Sequence, residues 1–99
     1  MPWFVYILFC DQKTYYVGLS HDVKARVFSH QKRLNKATKE FSDIRLVHKE
    51  EYGTRIEAET RERQLKGWSV AKKKALIENN IKLLKRLSKN REHVEGSLG

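Results

Sequence analysis

The sequence predicts a small α/β (α+β) domain, a three-stranded antiparallel sheet flanked by helices in the order β-β-α-β-α-α. Three observations carry this. Two aromatic and branched runs, PWFVYILFC and TYYVGLS, are separated by Asp11-Gln12-Lys13 alone, a break of hairpin length. A third such run follows at about 44–52. Helical spacing and helix start and stop residues fill the stretches around it.

The first strand, about Trp3 to Cys10, is apolar on both faces and reads as the covered centre of the sheet. The second is Thr14 to Leu19, with Gly18 inside it marking close approach by a backbone or a ligand. Side chains two apart share a face, so Tyr6 and Tyr16 fall on one face of an even-register hairpin. Helix 1 should run from about Asp22 to Arg33 or Lys36, with Val23, Val27, His30 and Leu34 drawing its inward stripe. It sets Arg26 one turn from His30. Two phenols, a guanidinium and an imidazole therefore converge. Residues 35–43 read as a polar surface loop. Strand 3, Ile44 to Tyr52, should place Ile44, Leu46 and His48 on one face. Thr54 and Glu57 form a capping box that opens helix 2, and Gly67 closes it. Ala58, Glu62 and Leu65 are spaced to share the buried stripe, with Glu57 and Glu59 off it. A buried carboxylate needs a partner or a metal, and Arg26 is the natural cation for Glu62. Helix 3, about Ser69 to Asn79, carries the basic run Lys72 to Lys74. Asn79-Asn80 breaks it, and a fourth short helix begins at Ile81 and frays after about Asn90.

With 99 residues the chain has room for one modest core. Its net charge of +9, with 33% charged residues, suits a polyanionic partner, most often nucleic acid. The lone Cys10 sits in an apolar strand and cannot staple the fold or anchor a zinc finger. The apolar run at the N-terminus is too short for a membrane span and lacks the basic flank of a signal peptide. The expectation is a cytoplasmic protein without a membrane partner.

Phe4-Val5-Tyr6, then Tyr16-Val17-Gly18, then Arg26 and His30, resembles the GIY-YIG nuclease superfamily. The stretch Glu57 to Trp68 is similar to the second signature of its small stand-alone bacterial branch, in which a helix supplies the metal-binding glutamate. The resemblance spans about residues 2–78, and Phe4 stands where the motif's first glycine would be. It implies a nuclease domain over 1–80, followed by a basic C-terminal helix or tail over 81–99. It implies a metal-dependent endonuclease acting on DNA, of a DNA-repair kind, with Tyr6, Tyr16, Arg26, His30 and Glu62 as catalytic residues. Tyr6 is the favoured general base, with Tyr16 positioning water and phosphate. Arg26 would clamp the phosphate, His30 would orient a tyrosine or contact the phosphate, and Glu62 would hold one Mg²⁺ or Mn²⁺. Lys36, Lys39, Lys66, Lys72, Lys73 and Lys74 are the candidate nucleic-acid contacts. No small-molecule cofactor is expected, and the protein should be a monomer or weak dimer. Two other readings stay open: a basic nucleic-acid-binding module that cuts nothing, and a protein-interaction adaptor on a decayed nuclease fold. The second predicts a lost catalytic residue, and none is lost. Single-stranded, duplex and branched DNA, and RNA, all remain open as substrate.

Overall fold

The computed structural model describes residues 1–34, 36 and 38–88. It contains two compact units, one spanning Met1–Gly67 and one beginning at Trp68. The first is built on an antiparallel sheet of β1 (Trp3–Cys10), β2 (Thr14–Ser20) and β3 (Ile44–Tyr52), in the order β2-β1-β3. β1 takes the centre because both of its faces are apolar: Val5, Ile7, Leu8 and Cys10 are fully buried. Each such side chain contributes about 1.5–3 kcal/mol on burial. The hairpin turns through left-handed Asp11 (φ 52°) and Gln12 (φ 56°), without the glycine such turns favour. Asp11 compensates by tying the turn down. Its N–H donates to the Asp43 carbonyl at 2.7 Å, and its carboxylate accepts from the Ser42 and Asp43 amides at 3.0 and 2.8 Å.

α1 (Val23–Gln31) begins where the Asp22 carboxylate accepts the Ala25 amide. It is shorter than the spacing predicts. Arg33 turns left-handed at φ 61°, which ends the helix and leaves Leu34 72% exposed, off the predicted stripe. α1 covers the β1 face that carries Tyr6, Leu8 and Cys10; Val23 and Ile44 complete that core, with Phe4, Tyr16, Val27 and Phe41 packed around it. α2 (Arg55–Lys66) reaches all three strands. Its Ala58 and Leu65 are fully buried.

The register of β3 departs from plain alternation. A bulge makes Ile7 face His48 while Leu8 faces Leu46, so Val47 is the extra residue. Ile44 and Leu46 lie on the α1 face, but His48 is switched to the opposite face, contrary to the expected shared face. There His48, Tyr52 and Arg61 of α2 converge on the Glu50 carboxylate at 2.7, 2.6 and 2.8 Å. Burial alone would raise the Glu50 carboxyl; these hydrogen bonds and the Arg61 charge outweigh it and hold it far below the usual carboxylate range. Thr54 caps α2 as predicted, the Glu57 amide donating to its hydroxyl at 3.2 Å, but the Glu57 carboxylate accepts from that same hydroxyl at 2.9 Å, in place of the reciprocal bond to the Thr54 amide that a full capping box makes. Gly67 does close α2, but at φ −83°, so the position uses none of glycine's left-handed freedom.

In the second unit, Ser69 caps α3 (Val70–Ile77). Asn79 turns left-handed at φ 55°, and the Asn80 side chain caps α4, which spans 81–88. Lys72 is 7% exposed, with its ammonium 4.1 Å from the centre of the Trp68 ring, so it is not part of an open basic run. The end of the predicted tail, 89–99, lies outside the described residues. No helix among the described residues is long and apolar enough to cross a membrane.

Candidate active site

Tyr6 projects from the centre strand, and the cross-strand residue opposite it is Gly18. A Cβ at Gly18 would collide with the Tyr6 Cζ and hydroxyl and lie 2.8 Å from Cε2. The absent side chain is thus what lets the ring lie across edge strand β2. The phenol is 1% exposed, and its hydroxyl is 3.0 Å from His30 Nε2. The other ring nitrogen, Nδ1, is 2.6 Å from the Thr38 hydroxyl. His30 and Thr38 are both fully buried, so Tyr6, His30 and Thr38 form a dry hydrogen-bonded line. Tyr16 packs edge-on against the same imidazole, ring centres 5.0 Å apart, and is half-buried.

Burial pushes the Tyr6 phenol well above its ordinary range. The neighbouring Tyr16 and Glu62 push the same way, and the Arg26 charge opposes them. Of these influences, desolvation outweighs the opposing Arg26 charge. Burial, reinforced by Arg26, lowers the His30 pKa, so the imidazole is neutral at pH 7. Arg26 itself is exposed and lines a groove of about 290 Å³ with Ser20, His21, Asp22, Ala25 and Ser29. Its fork of donors is open to an anion there.

Glu62 lies on the flank of the α2 stripe rather than in its middle, with its side chain 21% exposed. Its cation is not Arg26 but Lys66, one turn along, at 3.5 Å. Such a pair is worth about 0.3–0.5 kcal/mol and yields readily to a stronger cation. Among the described residues no three His, Cys, Asp or Glu side chains cluster as a metal cage. The donor set is one accessible carboxylate. That fits a hard divalent cation that completes its shell from water and substrate oxygens, and does not fit zinc.

Tyr6, Tyr16 and His30 thus meet in direct contact, and Arg26 and Glu62 act on Tyr6 through their charge. Lys36, Lys39, Lys66 and Lys74 are exposed. Lys73 is half-buried, and burial lowers its pKa. Lys72 is buried, as above. Glu59 is half-exposed and pairs with Arg55 at 2.7 Å. Sequence reasoning missed Thr38, because it sits in a stretch whose composition is that of a solvated loop. A single threonine between Ala37 and Lys39 carries no signal of its own.

The GIY-YIG catalytic domain family matches residues 2–75. A UPF0213 protein of Staphylococcus aureus strain Mu3 is 40% identical over 75 residues, which cover 75% of this chain and 92% of that protein. The corresponding protein of strain Mu50 matches equally. The solution NMR structure of the UPF0213 protein from Bacillus halodurans is similar with a TM-score of 0.52 and 32% identity, covering 79% of this chain and 84% of that one.

Proposed function

This chain belongs to the GIY-YIG catalytic-domain family, and from that premise we propose that it is a metal-dependent endonuclease that hydrolyses phosphodiester bonds in DNA. The family is one of nucleases acting on nucleic acid, which generally use divalent metal ions. The observation that supports the reading best is the Tyr6–His30 hydrogen bond lying in the fields of both Arg26 and Glu62. A basic binding module needs no such arrangement.

In this reading the attacking water gives a proton to the Tyr6 oxygen while the Tyr6 proton passes to His30 Nε2. A water O–H breaks as a new Tyr6 O–H forms, the original Tyr6 O–H breaks as a His30 Nε2–H forms, and the hydroxide left behind attacks phosphorus. A neutral imidazole, with an ordinary pKa of about 6.5, accepts a proton far better than a neutral phenol. The raised Tyr6 pKa, which would disfavour a free tyrosinate, suits a relay in which the phenol stays protonated. Tyr16, half-exposed beside the same imidazole, positions the water. Arg26 holds the scissile phosphate and shares its developing charge. Glu62 would hold a Mg²⁺ or Mn²⁺ ion once Lys66 swings away. Such an ion, when bound, supplies charge stabilisation at the phosphate and the leaving oxygen. Lys36, Lys39, Lys66 and Lys74 contribute sequence-independent attraction to the backbone.

The test is cleavage of labelled single-stranded, duplex and branched DNA with Mg²⁺, Mn²⁺ or EDTA, for wild type and Arg26→Ala. Products should form only with metal, and Arg26→Ala should be slower by about a hundredfold or more, with affinity nearly kept. DNA binding by a wild type that cuts none of these substrates would refute the enzyme and leave a binding module.

A further inference from the structure

Histidine presents a different nitrogen lone pair in each neutral tautomer, and its hydrogen-bond partners decide which form exists. His30 has a hydroxyl at each end, Tyr6 at Nε2 and Thr38 at Nδ1, and each hydroxyl can donate or accept. The two directions of the line are not equivalent. If Thr38 donated to Nδ1, Nε2–H would point at the Tyr6 oxygen and the phenolic proton would need another acceptor. Among the described residues, His30 is the hydrogen-bond partner of that buried hydroxyl. A phenol is also a much stronger donor than an aliphatic alcohol, with a pKa of about 10. The phenol therefore donates to Nε2, which leaves Nδ1–H to donate to Thr38.

We propose that Thr38 is a positioning residue for the reaction: by accepting the His30 Nδ1–H, it holds the imidazole as the Nδ1–H tautomer with its Nε2 lone pair facing the Tyr6 hydroxyl. It deepens the nuclease reading above and rests on it for its kinetic consequence. When the Tyr6 proton reaches Nε2, the Nδ1–H of the resulting imidazolium already has its acceptor. The charge thus forms without any reorganisation in a dry site. The hydrogen-bond acceptors behind metal-bound histidines do the same work, fixing tautomer and ring orientation.

The surroundings keep Thr38 in place. Its carbonyl accepts the Phe41 amide at 3.0 Å, and Phe41 packs against the core around Tyr6. Thr38 is thereby tied to Phe41, whose ring anchors it, and the hydroxyl is delivered to Nδ1 with full burial.

Two variants and two readouts test this. Thr38→Val keeps the shape and removes the hydroxyl; Thr38→Ser keeps the hydroxyl. Long-range ¹⁵N–¹H NMR of the His30 ring should show the Nδ1–H tautomer in wild type and Thr38→Ser. In Thr38→Val the Nε2–H form should appear. With metal and DNA, Thr38→Val should lower kcat by about 10–100-fold, the scale for losing the acceptor that orients a working histidine. KM should be unchanged, and Thr38→Ser should restore most of the rate. A wild-type His30 in the Nε2–H form, or a folded Thr38→Val with wild-type kcat, would overturn the role of Thr38. Should Thr38→Val fail to fold, the wild-type and Thr38→Ser spectra still decide the tautomer. An inactive wild type that keeps the Nδ1–H form would instead sink the nuclease reading, and the kinetic role of Thr38 with it.

Discussion

Gly18→Ala should do more damage than a one-carbon change suggests, and the damage should depend on Tyr6. In most strand interiors, glycine to alanine is neutral or stabilises by about 0.5–1 kcal/mol. Here the new methyl would collide with the Tyr6 Cζ and hydroxyl and sit 2.8 Å from Cε2. The ring cannot retreat into the core, because it is 1% exposed and packed among Leu8, Val23 and Ile44. Overpacking of this kind costs about 1–3 kcal/mol. Swinging the ring also breaks its bond to His30 and leaves a buried polar group unpaired, about 1–3 kcal/mol more. The sum is about 2–6 kcal/mol. For a domain of this size each kcal/mol lowers Tm by about 4–8 °C. The assay is a double-mutant cycle by urea unfolding, with Gly18→Ala in wild type and in Tyr6→Leu. Leucine ends short of Cζ, so in that background Gly18→Ala should be neutral or mildly stabilising. The coupling energy would be at least about 2 kcal/mol, far above the scatter of independent sites. Equal destabilisation in both backgrounds would refute the idea that the ring is what Gly18 accommodates.

Three further outcomes follow from the same geometry. Glu50 has a folded-state pKa far below its unfolded one, so its contribution is present above about pH 4.3 and lost as pH falls below that. Urea unfolding at pH 7 and pH 3 should show a loss in wild type that Glu50→Gln largely lacks; the same loss in both would contradict the cluster. Glu62→Gln should abolish metal-dependent cleavage with fold and DNA affinity kept, whereas Glu59→Gln should lose only its exposed pair to Arg55, under about 1 kcal/mol; a metal titration of cleavage compares the two, and an active Glu62→Gln would show the metal is held elsewhere. DNA affinity should fall steeply with salt, and deleting 81–99 should flatten that slope while leaving metal-dependent cutting; a salt-independent affinity would contradict phosphate binding.

Much of the site was legible because its residues sit where local periodicity is strong. Alternation alone places Tyr6 and Tyr16 on one face, and helical spacing alone sets Arg26 and His30 one turn apart. The glutamate of α2 was legible as a residue but not as an environment. Spacing put it in the buried stripe, while in the folded protein it lies on the flank, beside Lys66. Nothing in a one-dimensional pattern marks a bulge, so the switch of His48 to the Glu50 cluster could not be read from IRLVHKEEY. The burial of Lys72 escaped for a related reason. A lysine stem can lie along apolar surface, and the basic run around it looks uniform in sequence. Thr38 was the largest omission, since its contact with His30 joins residues eight apart in the chain.

The position of Tyr6 on the centre strand has a dynamic consequence. β1 is hydrogen-bonded along both sides, by β2 and by β3, so its amides should open to solvent only when the whole unit unfolds. The phenol therefore cannot adjust to a substrate on its own. Local opening is left to what borders it: the exposed side of α1 that carries Arg26, and the flank of α2 that carries Glu62. On the proposed reading, adaptation to different nucleic-acid shapes must then come from those two borders moving about a fixed Tyr6. Variants that merely weaken the fold should lose the Tyr6 geometry all at once, at the global transition, and not gradually before it.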